Sequence, residues 1–169
     1  MRQDQSTAAE ILPEIVMDGF IELERPVSSQ PWKGRKLLWV DDSQLLLSLY
    51  QSVFSSMGFE VLTTSSHEEA LRHVSSSAAD VAILDYDMPE MNGGVLASLM
   101  KERCPMLPVI LYSGSPCIPP SAHHWVDAIC AKAAPREELL ATIERLSHKA
   151  RKPPGSECRQ SFMPSPSNH

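Results

Sequence analysis

Five acidic, hydroxyl and basic side chains stand at the ends of short apolar runs, where they could act on phosphorus. Asp41 and Asp42 follow Leu37-Leu38-Trp39-Val40, and Asp85 follows Val81-Ala82-Ile83-Leu84. Ser113 closes Pro108-Val109-Ile110-Leu111-Tyr112, and Lys132 follows Val126-Asp127-Ala128-Ile129-Cys130-Ala131. Carboxylates gathered on one spot repel one another and call for a cation. Hard oxygen ligands in an open site suit Mg²⁺, which keeps several waters and takes phosphate oxygens as further ligands. A carboxylate beside such an ion can attack phosphorus and form an acyl phosphate. The Ser113 hydroxyl and the Lys132 ammonium would then hold phosphoryl oxygens.

That chemistry requires the four runs to lie side by side. Runs this short and continuously apolar suit strands buried on both faces, as in a parallel sheet covered by helices. Ligands of such sheets bind at the carboxyl ends of the strands, where all of these residues stand. Between the runs lie helical patterns. Leu45, Leu46, Leu49, Tyr50, Val53, Phe54 and Met57 form a stripe that Gly58 suits as a stop. A second strand covers 59–63. Ser66 and Glu69 have capping-box spacing before Ala70, Leu71 and Val74. Asp87, Pro89 and Gly93-Gly94 make a loop after the central strand. A helix over 95–103 turns Val95, Leu96, Leu99 and Met100 inward. Three prolines in 116–125 leave room for only a short helix there. The last helix opens near Pro135 with Glu137 and Glu138, buries Leu139, Leu140, Ile143 and Leu146, and ends among bases. Strand and helix alternate five times, which predicts an α/β domain with a parallel sheet and helices on both faces.

Composition narrows the function. Fifteen Lys and Arg against 21 Asp and Glu, a formal charge of −6, argue against direct nucleic-acid binding. No apolar run approaches membrane-span length and none has signal-peptide form, so the reading is a cytoplasmic protein without membrane insertion. The four cysteines are spaced by 13, 13 and 28 residues with no Cys-x-x-Cys pair, which favours ordinary reduced thiols. Residues 1–35 read as a leader and linker, with Ile11, Leu12, Ile15 and Val16 on one helical face; the segment either packs on its own domain or is partly disordered, or else docks a second copy or another protein. Residues 149–169 read as a disordered tail.

The series Asp41-Asp42, then Leu-Asp-x-Asp-Met-Pro-x-Met-x-Gly around Asp85, then Ser113-Gly114, then Lys132 resembles the receiver domain of two-component response regulators. The resemblance covers about 36–148 and implies a flavodoxin-like sheet of strand order 2-1-3-4-5. It implies that Asp85 is the phosphoacceptor, charged by a histidine kinase or histidine phosphotransfer protein. Asp41, Asp42, Asp85 and the backbone carbonyl of Asp87 would hold Mg²⁺. Ser113 would be the switch hydroxyl, Lys132 the phosphate-binding lysine, and Asp87 and Ser115 the residues that tune acyl-phosphate lifetime. The chemistry implied is self-phosphotransfer and autodephosphorylation rather than turnover of a substrate.

Three features depart from that family's pattern. The usual aromatic three residues before the lysine is Ile129, the usual proline after the lysine is Ala133, and the fourth helix is short. The acceptor chemistry is therefore expected to be intact while the customary way of reporting it is not. Each residue also has a plainer reading: Asp42-Ser43 as a helix cap, Lys132 as a solvated lysine, the Gly pair as turn residues. The leading expectation is a stand-alone receiver acting on an unidentified downstream protein, with a homodimer as one form it could take. Alternatives are a phosphate-independent receiver-like binding module, and a haloacid-dehalogenase-type phosphohydrolase. Asp85-Tyr86-Asp87 suits the latter, but its metal-binding acids should follow the lysine, not precede the nucleophile.

Overall fold

The computed structural model describes residues 32–149 apart from Pro116 and the Lys149 side chain; the leader helix read at 11–16 and most of the tail lie outside these residues. The elements run β1 (Lys36–Val40), α1 (Gln44–Ser56), β2 (Glu60–Thr64), α2 (His67–Ser75), β3 (Val81–Leu84), α3 (Gly93–Arg103), β4 (Val109–Ser113), α4 (Pro120–His123), β5 (Ala128–Ala131) and α5 (Arg136–Lys149). The strands form one parallel sheet in the order β2-β1-β3-β4-β5, as the resemblance implied. The fourth helix is a single short turn, also as expected.

Strand alternation divides the core in two. Leu38, Val40, Ala82, Leu84, Val109 and Leu111 meet Ala70 and Val74 of α2, Leu96, Ala97 and Met100 of α3, and Ala122 of α4. On the other face Leu37, Trp39, Val81, Ile83, Ile110 and Cys130 meet Leu47 and Phe54 of α1 and Leu139, Ile143 and Leu146 of α5. The central strands are buried on both sides, which is why their sequences read as unbroken apolar runs.

Three helix assignments need correction. In α1 the buried leucine is Leu47, 2% exposed, while Leu45 and Leu49 are 79% and 53% exposed. Three consecutive leucines leave the phase of the stripe ambiguous, and packing chose the middle one. In α3, Val95 is exposed and Ala97 is buried instead. The helix also begins at Gly93 rather than Val95, with Asn92 capping the Val95 N–H at 3.0 Å. The capping box of α2 is half formed. Ser66 accepts from the Glu69 N–H at 3.3 Å, but the Glu69 carboxylate accepts from the Thr64 hydroxyl at 2.6 Å instead of returning to Ser66.

Smaller differences concern ends. The second strand is shifted one residue and the fifth begins only at Ala128. Trp32, read as linker, stacks on Phe59 at 5.9 Å and donates its indole N–H to the Met57 carbonyl at 3.1 Å. Cys117 and Cys130 are free thiols.

Candidate functional site

The register of the sheet assembles the site. Val40 pairs with Leu84, so Asp41 and Asp85 emerge side by side from β1 and β3. Ser113 pairs with Ala131, so Lys132 emerges next to the end of β4. Backbone hydrogen bonds continue past the strands: the Asp85 N–H donates to the Val40 carbonyl at 2.9 Å, and the Lys132 N–H to the Ser113 carbonyl at 2.8 Å. Asp85 and Lys132 are thus each held by an extension of the ladder.

Carboxylate oxygens of Asp41, Asp42 and Asp85 all lie within 4.8 Å of one another. Asp41 and Asp85 are buried and Asp42 is exposed. One Asp41 oxygen accepts from the Ser43 N–H at 2.9 Å. The other meets the Lys132 ammonium at 2.9 Å, and that ammonium also reaches Asp85 at 3.2 Å. Burial by itself lowers the Lys132 pKa and is the largest single influence. The hydrogen bond and charge of Asp41, and then those of Asp85, outweigh it and hold the lysine above its ordinary value. Lys132 is accordingly a fixed cation and not a proton carrier.

Three carboxylates against one ammonium leave two formal negative charges in a partly buried cluster. A divalent cation with a preference for hard oxygen ligands matches both the charge and the donor set, and Mg²⁺ fits. The helix-cap reading separates cleanly here. Ser43 is the cap of α1, accepting from the Leu46 N–H at 3.4 Å, and Asp42 belongs to the acid cluster.

Ser113 is buried, and its hydroxyl oxygen accepts from the Ser115 N–H at 2.9 Å. Asp87 is exposed, two residues past Asp85. Ile129 pairs with Leu111 and packs against the α2–α3–α4 side of the core, within strand β5 rather than at the acid cluster.

Other residues here have roles that the sequence did not show. A Cβ on Gly93 would fall on the Asp85 carbonyl oxygen and lie 2.9 Å from Leu111 Cδ2. Gly93 is therefore required by close approach, not by a turn. Glu90 adopts φ +66° in a tight turn closed by Met91 N–H to the Pro89 carbonyl at 2.7 Å, a conformation costly for a residue with a Cβ. Tyr50 and Tyr112 pack on the α1–α5 face of the sheet and are not members of the acid cluster. Burial raises the Tyr50 phenol pKa, opposed by Lys132 and reinforced by Tyr112, Asp41 and Asp85; burial likewise raises that of Tyr112, opposed by Lys132. An aromatic immediately before the strand-end hydroxyl was the available signal for Tyr112.

Known proteins resemble this chain. Regulator of RpoS from Escherichia coli (strain K12) is 33% identical over 87 residues, covering 52% of this chain but 26% of its own length. Response regulator SaeR from Staphylococcus aureus (strain USA300) is 38% identical over 74 residues, 44% of this chain and 32% of its own. The chain thus spans only about a quarter to a third of these relatives. Among solved structures, the response regulator protein TrrA from Thermotoga maritima in complex with Mg(2+)-BeF superposes with TM-score 0.62 at 25% identity, over 66% of this chain and 98% of that one. The family model described as "Response regulator receiver domain" matches residues 37–144, and this chain belongs to that family.

Proposed function

We propose that the protein is a phosphorylation-dependent signalling protein that accepts a phosphoryl group on Asp85. The observation that carries this reading is the buried Asp85 carboxylate, 3.2 Å from Lys132 and clustered with Asp41 and Asp42. The donor is a phosphohistidine of a histidine kinase or phosphotransfer protein. One Asp85 oxygen forms a bond to phosphorus as the N–P bond breaks, and the leaving imidazole keeps the bonding pair and takes up a proton. Lys132 stays protonated and binds a phosphoryl oxygen, and the Ser113 hydroxyl donates to another. Asp41, Asp42, Asp85 and the Asp87 carbonyl would hold Mg²⁺, which when bound neutralises the crowded phosphoryl and carboxylate oxygens. Hydrolysis later breaks the same P–O bond, returning a free carboxylate and inorganic phosphate. Asp87 and Ser115, two residues past Asp85 and Ser113, tune how quickly water attacks the phosphorus of the acyl phosphate.

The output is contact with another protein in the cytoplasm. The receiver-family match supports this reading over the haloacid-dehalogenase alternative. Intact-mass analysis with Mg²⁺ and acetyl phosphate tests the reading. Wild type should gain a single phosphoryl group, Asp85→Asn none, and EDTA should suppress the adduct. Asp87→Ala and Ser115→Ala should form the adduct and lose it at rates several-fold different from wild type. A folded wild type that never gains mass would point instead to a phosphate-independent binding module, and equal decay in both variants would remove their tuning role.

A further inference from the structure

The customary reporting route of a receiver is missing an aromatic at Ile129, yet aromatic rings are abundant on the opposite face of the sheet. Tyr112 immediately precedes Ser113, and strand alternation sends its ring to the α1–α5 face. There it meets Trp39 edge-on at 5.8 Å and Tyr50 at 5.9 Å. Trp39 and Tyr50 stack at 4.2 Å with an interplanar angle of 16°, and Trp39 also contacts Phe54 at 4.9 Å. Tyr50 and Phe54 stand four residues apart on α1, one turn along the same face. A continuous set of rings therefore joins the residue beside the switch hydroxyl to two successive turns of α1.

The α4–β5 side, in contrast, is tied down. A Cβ on Gly94 would lie 2.8 Å from the Ala122 Cβ, so α4 sits directly on the start of α3 with no space to move inward. The segment that follows is clipped by Asp127, whose carboxylate accepts from Lys101 at 2.6 Å and from the Val109 N–H at 2.9 Å. Lys101 also donates to the Leu107 carbonyl at 2.7 Å. Ile129 itself offers neither a ring nor a polar group.

We propose that phosphorylation of Asp85 is transmitted through the Tyr112–Trp39–Tyr50 ring contacts to helix α1, rather than along β5 and α4. This rests on the phosphoacceptor reading. Ser113 must shift toward the phosphoryl oxygens to donate its hydroxyl, and Tyr112 is covalently next to it. The Lys132 N–H bond to the Ser113 carbonyl at 2.8 Å makes the two strand ends move together. Tyr112 is only half-buried, but its ring lies against the fully buried Trp39, so it cannot shift toward that side without its neighbours repacking. Its neighbours here belong to β1 and α1, and α1 begins three residues after Asp41.

Amide hydrogen exchange of the full chain, with and without Mg²⁺ and beryllofluoride as the phosphoryl analogue, tests this. Wild type should show a several-fold exchange change across 44–56. Tyr112→Phe, which keeps the ring, should retain it, whereas Tyr112→Leu and Tyr50→Leu should lose it while still gaining the acetyl-phosphate adduct. A change confined to 113–134, or an α1 response that survives both leucine variants, overturns the proposal. A wild type that takes up no phosphoryl group by intact mass would instead remove the phosphoacceptor reading, and this proposal with it.

Discussion

Lys132 is subject to opposed influences, and their balance is testable by pH. Its folded pKa is raised, so its pairing with Asp41 and Asp85 stabilises the fold fully below the unfolded value of about 10.4 and is lost as pH rises through the folded value. Tyr50 and Tyr112 are also held above their ordinary values and contribute a loss in the same alkaline direction. In metal-free buffer, urea midpoints of wild type should fall steeply above about pH 10. Lys132→Met should be less stable at neutral pH, because two buried carboxylates lose their cation, and shallower on the alkaline side. A variant as steep as wild type would show that the slope belongs to the tyrosines alone.

At the scale of elements, the phase of α1 and the start of α3 matter most. Leu47 is buried against the sheet while Leu45 projects into solvent. Leu47→Ala should therefore cost about 2–5 kcal/mol in denaturant titration, and Leu45→Ala within about 0.5 kcal/mol of zero. Comparable losses for the two would mean that α1 is rotated from the orientation described. Gly93 brings the first turn of α3 against the backbone of Asp85. Gly93→Ala should destabilise by about 1–3 kcal/mol or more through forced displacement. It should also lower the yield of phosphoryl adduct, since the backbone that moves carries the acceptor. Wild-type yield would mean that the loop after β3 relaxes without moving the carboxylate.

For the whole molecule, a cation held at the acid cluster would couple folding to cation binding. A ligand that binds only the folded state stabilises it by mass action, by about 2.7 kcal/mol at a hundredfold excess over its Kd. Millimolar Mg²⁺ should raise the wild-type Tm, and the rise should vanish in Asp41→Asn and Asp42→Asn. Because Asp41 also pairs with Lys132, Asp41→Asn should lower the metal-free Tm as well, whereas exposed Asp42 should not. An undiminished Mg²⁺ effect in both variants would place the cation elsewhere.

Legibility followed from periodicity and burial. The central strands could be read because burial on both faces demands unbroken apolar runs, and the acids, Ser113 and Lys132 could be read because each directly follows such a run. Strand order and the acid arrangement followed from the motif series as a resemblance. Helix phase was less legible: Leu45-Leu46-Leu47 satisfies several helical faces equally, and only contact with Trp39 and its neighbours selected Leu47. The roles of Gly93, Gly94 and the Trp39–Tyr50–Tyr112 rings depend on approaches between residues distant in the chain. The sequence by itself determined which side chains stand at the sheet's carboxyl edge, because strand ends are written locally. The tertiary structure decided which face of each helix is buried and which rings touch behind the site, because those depend on packing between elements.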